Sequence, residues 1–484
     1  MKERILSFLL FIAILTLASC AQKTTVAETV TDTETIEQTS AEISDELPET
    51  DLKGWEMRVI SHHDKLSDES TIYAAEMNGE LINDLIYTRN SAVEERFNFK
   101  LSVIPGNGWA DDYNKLKISA LAGSHDYDMA FLLPFAASGN TVLDECLYNM
   151  LAVPHLNFDK PWWHTNVNDL FTYNGYLPFV SSDFLLSSYQ YANILIYNKK
   201  MAEDFSLPNI YDTVREGKWT LDTFSELAKA VNGDLNGDGI IDENDRFAIA
   251  TNFGYHAITW GYAIGEVSVK LDGDTVSLGY KDERFYNLCQ WLYDLLYTSN
   301  EAFEIGWDKE CDIKWDENRL LMQALWVNDL EKFRSATVDY GIIPYPKYDE
   351  EQDMYHTYVD ARAGGCAIPI DAEAQTVDNV GLVLEALSCA SYKDLVPAYL
   401  ESVTNNKLTR DTDSIEMLEI ISKGRFWDIG YTMSDSSSYT WIIYTDLKKT
   451  AGQVTSALEK KTSQTIKYYD KIIAAYKELS ERSW

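Results

Sequence analysis

The sequence predicts an α/β fold with a helical C-terminus, and three observations predict it. Between Trp55 and Leu133, short alternating stretches and stretches of helical spacing follow one another as β-α-β-α-β. A second set of strands and helices begins at Asn193, and from about Tyr439 onward the pattern is mostly helical. At 484 residues the chain is long enough for two domains with real cores.

The elements come in order. Lys2 and Arg4 precede an apolar run from Ile5 to Leu17, and Leu17-Ala18-Ser19-Cys20 closes it with small residues before a cysteine. This is the layout of a secretory signal, too short for a comfortable membrane span of about 20 residues. The tetrad resembles a bacterial lipobox, which implies acylation of Cys20 and attachment to the outer face of a membrane. Residues 21–53 are rich in Thr, Glu, Ser and Asp and read as a solvated acidic tether.

The body then starts with a strand at Trp55, where Met57 and Val59 alternate with polar neighbours. Ile82, Leu85, Ile86, Val93 and Phe97 recur at helical spacing, Phe99, Leu101 and Val103 alternate, a helix spans about Asp112 to Leu121, and a strand runs from Tyr127 to Leu133. Such an order makes a parallel sheet, whose ligands sit at the carboxyl ends of its strands. Those ends carry His62-His63-Asp64 and Pro134-Phe135. Asn193 to Lys199 is a second apolar strand. Leu221, Phe224, Leu227, Ala228 and Val231 mark one helix face, with Thr220 as N-cap. Arg246 to Ala250, Tyr340 to Pro344 and Gly365 to Pro369 read as further short strands.

Composition excludes some functions. Lys and Arg total 41 against 77 Asp and Glu, a net charge of −36, which repels nucleic acid. No apolar run after the signal is long enough to span a bilayer, so the chain does not itself form a transport path. Beyond Cys20, the cysteines Cys146, Cys289, Cys311, Cys366 and Cys389 are scattered and never form C-x-x-C. They read as small buried hydrophobes; a single disulfide stays open.

Asp234-Leu235-Asn236-Gly237-Asp238-Gly239-Ile240-Ile241-Asp242-Glu243-Asn244-Asp245 matches D-x-N-x-D-G-x-I-x-x-x-D. Asp234, Asn236 and Asp238 offer side-chain oxygens at alternate positions, Gly239 allows a sharp turn, and the Ile240 carbonyl is the expected backbone ligand. Asp242 acts through water, and Asp245 stands where a helix-loop-helix calcium site has a longer Glu. The expectation is one structural Ca2+. An Asx-Gly surface turn is the plainer alternative.

Ile194 to Lys199 (ILIYNK), Gly217-Lys218-Trp219-Thr220, the Asp-Asn-Gly-Asp-Gly loop and the strand ending Ile343-Pro344-Tyr345-Pro346 occur in an order and spacing that resembles the carbohydrate-type (family 1) extracellular solute-binding proteins of bacterial ABC importers, the group of maltose-binding protein. Arg410 to Tyr431 is similar to a segment of large members. The resemblance implies a periplasmic-binding-protein-like fold (type II) of two lobes, hinged at crossings near Gln190 to Asn193 and Val359 to Ala363. It divides the chain into a signal (1–20), a tether (21–53), a first lobe (55–189 plus 364–405) and a second lobe (194–358 plus 406–484). It implies hinge closure on a ligand, a permease partner and a monomer.

Sugar rings stack on aromatic faces while their hydroxyls take polar partners. The resemblance places Trp326, the pair Tyr255 and His256, Trp260 and Trp441 at a sugar site, and strand ends or a crossing place Asp64, Asp360 and Arg362 there. A Trp in a chain with 13% aromatics is equally a natural core residue, and an Asp a solvated loop charge. Tyr191 stands where maltose-binding protein has a Glu, and the loop after Leu133 lacks its Asp-Arg pair, so maltose itself is not supported. The function implied is capture of a carbohydrate, an oligosaccharide, for an ABC importer, with no catalysis. The alternative is an extracellular glycan-processing enzyme with a dockerin-like calcium loop; no G-x-S-x-G, H-E-x-x-H or phosphate loop is present.

Overall fold

The structure, a computed structural model, describes residues 43–61, 72–107, 111–133, 140–306, 311, 315–333, 336–360, 362–405, 411–434 and 439–484. Cys20 and the signal, the tether up to residue 42, His62-His63-Asp64 and Pro134-Phe135 lie outside the described residues.

Two sheets organise the rest. β1 (Trp55–Ser61), α1 (Leu81–Phe97), β2 (Phe99–Pro105), α2 (Asp111–Ala122) and β3 (Met129–Leu132) follow in the expected order. β1 pairs in parallel with β2, Trp55 opposite Phe99, and with β3, Val59 opposite Met129. Helical crossovers leave the strands parallel and cover both faces. Accordingly Met57, Val59 and Ile60 and every residue of β3 are buried. Arg58 staples the middle of β1 to the start of β3: its backbone N–H and Nε donate to Asp128 Oδ2 (2.7 and 3.1 Å) and its Nη2 to Oδ1 (2.8 Å).

The second sheet collects β4 (Asn193–Asn198) and β5 (Phe247–Thr251). After a separate hairpin, β6 (Val269–Asp272) and β7 (Thr275–Leu278), it adds β8 (Ala302–Glu304), β9 (Leu320–Trp326) and β10 (Tyr340–Ile343). The order is β10-β4-β9-β5-β8, with β4 antiparallel to β10 and β9 and β5 parallel to β8 and β9. α3 (Leu221–Val231) covers it as expected, and Thr220 caps α3 by accepting the Thr223 N–H (3.3 Å). α4 (Tyr255–Ala263) and α5 (Glu283–Tyr293) complete this side. The chain then returns through β11 (Thr357–Tyr358) to β12 (Gly365–Ala367), which adds to the first sheet antiparallel to β3. Gly365 is required there, because a Cβ would sit 2.6 Å from the Phe179 ring. α6 (Ala374–Ala390) packs on the first sheet's side.

Each sheet has a core of its own, and a third cluster packs Ile194, Ile196, Leu325 and Ile342 of the second sheet against Ile86, Leu186 and Leu395. Met57, Phe97, Leu116, Trp162 and Val383 belong to the first, and Leu195, Trp219, Phe224, Leu288 and Met322 to the second. The result is a two-lobed α/β fold with a helical C-terminus. The last helix, α7 (Ala451–Ser480), contributes Val454 and Leu458 to the second core and Tyr469, Ile472 and Tyr476 to the first. Cys146, Cys289, Cys366 and Cys389 are buried free thiols, and Cys311 is half-buried. Among the described residues no helix is long and apolar enough to cross a membrane.

Candidate functional site

The two sheets are joined where chain segments lie side by side. Ala192, just before β4, bridges Val359, just after β11, and the Asp360 N–H donates to the Tyr191 carbonyl (3.0 Å). A third segment, β13 (Arg425–Phe426), runs parallel to β11, and the Val359 N–H donates to the Phe426 carbonyl (3.1 Å). Side chains at such a junction are held by both lobes.

The register of the second sheet brings Trp326 here. It ends β9 directly opposite Asn193, the first residue of β4. Tyr255 arrives at the start of α4, where its N–H donates to Asn252 Oδ1 (2.8 Å). The Tyr255 hydroxyl donates to Asp360 Oδ2 (2.6 Å), and the Trp326 indole N–H reaches the same hydroxyl at 3.4 Å. The Tyr255 ring meets the Trp326 ring edge to face at 5.7 Å, and Tyr191 does so at 6.0 Å. The Arg362 guanidinium lies over the Trp326 ring, 4.3 Å from its centroid. Arg362 also holds Asp360: its backbone N–H donates to Oδ1 (2.9 Å), and Nη1 is 3.9 Å from the same oxygen.

Asp360 and Arg362 are only 3% and 4% exposed, so this is a buried ion pair. Burial of the Tyr255 phenol, reinforced by the Asp360 charge, pushes its pKa well above the usual tyrosine value and keeps it a donor. Attraction to Asp360 offsets the desolvation of Arg362, whose pKa lies above its ordinary value.

Four of the expected residues thus converge: Tyr255, Trp326, Asp360 and Arg362. Trp441 is brought to the edge of the same cluster through Tyr431, whose ring lies 5.0 Å from Trp441 and 5.6 Å from Tyr358. His256 is adjacent but turned to another task. Its Nδ1 faces Thr251 Oγ1 (2.6 Å) and accepts the Asn252 N–H (3.3 Å), which fixes the turn into α4. Burial lowers its pKa to about 3, so it stays neutral.

Trp260 is a correction. It is fully buried in the second core against Phe224, Trp291 and Tyr345, with ring centroids 5.0 to 5.2 Å away. Five residues of helix separate it from Tyr255, which turns it by roughly 140° to the opposite face. Asp64 lies outside the described residues.

Residues the sequence reading missed are Tyr191, Asn193, Tyr358 and Tyr431. Asn193 Nδ2 donates to the Tyr358 carbonyl (3.0 Å) and approaches the Tyr255 hydroxyl (3.4 Å). The signal was a tyrosine beside each crossing, in Tyr191-Ala192-Asn193 and Tyr358-Val359-Asp360.

The acidic loop stands apart from this cluster, between α3 and β5. Its roots are closed by the Gly233–Arg246 bridge. Gly237 and Gly239 take φ of +74° and +78°, the left-handed turns expected of the motif. The Asp234 carboxylate accepts the N–H groups of Gly237 (2.6 Å) and Gly239 (2.9 Å), and Asp238 accepts that of Ile240 (2.7 Å). Asp245 is buried at the base and accepts from Leu235 (2.8 Å) and Asp242 (2.9 Å). Those backbone bonds hold its carboxyl below the usual range. Among the described residues no group of three or more His, Cys, Asp or Glu is placed to hold a metal ion as it stands. The donor set is nonetheless all oxygen, which suits a hard cation.

No family model matches the sequence, and no curated protein matches it. Solved structures match in fold. An ABC substrate-binding protein from Listeria monocytogenes in complex with cycloalternan is 12% identical, with a TM-score of 0.53 over 86% of this chain and 99% of the other. An ABC transporter solute-binding protein from Thermotoga lettingae bound with alpha-D-tagatose is 14% identical, with a TM-score of 0.51 over 87% and 100%. A cyclo/maltodextrin-binding protein complexed with maltotetraose is 14% identical, with a TM-score of 0.53 over 84% and 97%. At such identities the likeness is one of fold, and this chain has the two-lobed fold of ABC-transporter solute-binding proteins.

Proposed function

We propose that this protein captures a carbohydrate at the junction of its lobes, leaves it chemically unchanged, and hands it to the permease of an ABC importer. One observation carries the reading. Trp326, Tyr255, Tyr191 and Tyr431 surround a buried Asp360–Arg362 pair where the two lobes meet. Aromatic faces suit the apolar faces of sugar rings, and the tyrosine hydroxyls, Asn193 and the ion pair suit their hydroxyls. The solved structures of the same fold that hold cycloalternan, tagatose and maltotetraose favour a sugar over other solutes. The number of aromatic rings favours an oligosaccharide over a single sugar.

Three further parts belong to this reading. The protein works as a monomer at the outer face of the membrane, held by a lipid on Cys20 and an acidic tether. One structural Ca2+ is held by Asp234, Asn236, Asp238, the Ile240 carbonyl and Asp245, with Asp242 acting through water. The left-handed glycines and the alternating oxygen-bearing side chains of the loop support that fit. The test is a glycan panel read by calorimetry together with product analysis. Binding without turnover is expected. Turnover of a bound glycan, or no binding across a broad panel, refutes the proposal.

A further inference from the structure

We infer that α7 and the β6–β7 hairpin form a strut that ties the two lobes together and restricts their hinge to a narrow range of opening. The argument starts from the burial pattern of α7, a helix of 30 residues and hence about 45 Å long. Its start is fixed by the Thr450 cap, which accepts the Gln453 N–H (3.1 Å), and by Val454 and Leu458 in the second core. Its end is fixed in the first core by Tyr469, Ile472, Tyr476 and Leu479. Two hydroxyls lock that end: Tyr469 donates to the Gly430 carbonyl (3.1 Å) and Tyr476 to the Phe171 carbonyl (2.9 Å). Past the helix, Arg482 pairs with Glu145 and the Trp484 ring meets Tyr148 at 5.1 Å. Between the anchors, Glu459, Lys460, Ser463 and Gln464 are exposed. Thr465, in the same span, is buried, so the helix is continuous between its two anchors.

The hairpin makes the second tie. It leaves the end of α4 and returns into α5, both in the second core. Yet Val269 is buried in the first core, and Leu271, Val276 and Leu278 pack against it. Its tip is held by the Tyr173 hydroxyl, which donates to the Gly273 carbonyl, and by Lys477 of α7, 2.6 Å from Asp274. Its roots carry left-handed residues, Gly265 (φ +82°) and Tyr280 (φ +60°). At the first root, buried Asp428 accepts the hydroxyls of Tyr262 (2.7 Å) and Ser268 (2.6 Å). A rigid helix seated in two cores does not stretch. Wide separation of the lobes would have to pull large buried side chains out of one of them, and interfaces of this kind switch between discrete packings instead of deforming continuously.

The test needs no ligand. In the full chain with Cys311→Ser, spin labels at Leu121→Cys, exposed on α2, and Tyr286→Cys, on α5, report the interlobe distance. One narrow distance distribution is expected. The pair Lys460→Gly and Lys461→Gly weakens the helix between its two anchors, and it should broaden the distribution and shift it to longer distance. Tyr173→Phe with Asp274→Ala frees the hairpin tip and should broaden it less. A broad or two-peaked distribution in the protein with native α7 overturns the inference even if the glycine pair fails to fold. So does a folded glycine pair whose distribution is unchanged.

Discussion

Truncating Trp326 separates a binding role from a packing role. In Trp326→Ala the stacked Arg362 loses a ring at 4.3 Å, and Tyr255 and Tyr191 lose edge-to-face partners at 5.7 and 6.0 Å. A desolvated cation–π contact is worth about 2 kcal/mol, and each aromatic pair about 0.5–1.5 kcal/mol. The loss of stability should therefore be about 3–5 kcal/mol, the usual range for a large aromatic truncation. Trp326→Phe keeps a ring face for Arg362 and should lose about half of that. If a sugar stacks on the same residue, its affinity falls independently by about 1–3 kcal/mol, or roughly 5- to 150-fold. Denaturant melts give the first quantity, and calorimetry with the glycan selected from the panel gives the second. The two must be measured on protein shown to be folded at the assay temperature. A folded Trp326→Ala protein with unchanged affinity refutes the assignment of Trp326 to the site and leaves it as interlobe packing.

The remaining predictions are independent of that one. Calcium at ten times its dissociation constant should stabilise the protein by about 1.4 kcal/mol, seen as a higher melting temperature, and Asp238→Ala should abolish the response. An equal calcium response in that variant rejects the loop as the site. Cys20→Ala should move the protein from the membrane fraction to the soluble fraction; retention in the membrane rejects lipidation. Glu385 on α6 is buried and accepts the indole N–H groups of Trp162 (3.1 Å) and Trp163 (3.0 Å). Burial raises its pKa from 4.5 to about 7. A raised carboxyl contributes stability that is fully present below pH 4.5 and is lost as pH rises through about 7. The loss is at most about 3 kcal/mol, and Glu385→Gln should flatten the melting profile between pH 5 and 8. A profile of the same slope in both proteins rejects this account.

Where local pattern and tertiary role coincide, the sequence was readable. β1, β2 and β4 and helix α3 appear where the alternation and the Thr220 cap put them, because burial of one face or both is written into residue order. β9 was not recognised as a strand. Leu320-Leu321-Met322-Gln323-Ala324-Leu325 is an apolar run broken only by Gln323, a pattern that buried strands and buried helices share, and only pairing with β4 and β5 decides between them. The hairpin was legible and passed over, since Val269, Leu271, Val276 and Leu278 alternate around a Gly273-Asp274 turn; what no local pattern announces is that these side chains pack against the other lobe.

The site shows the same division within a single helix. Tyr255 and Trp260 both lie on α4, and every residue of that helix is buried, so amphipathic spacing carries no sign of which face meets the crossing. What separates them is the neighbour each face receives. Tyr255 meets Asp360, 105 residues further on, and Trp260 meets Phe224, Trp291 and Tyr345 from its own lobe. Tyr191 and Tyr431 were visible as residues, yet only the bridge between Ala192 and Val359 and the pairing of β11 with β13 make them neighbours of one ion pair. A site built where three distant segments meet is encoded in the pairing of strands, and the composition of each segment gives only the side chains that the pairing then assembles.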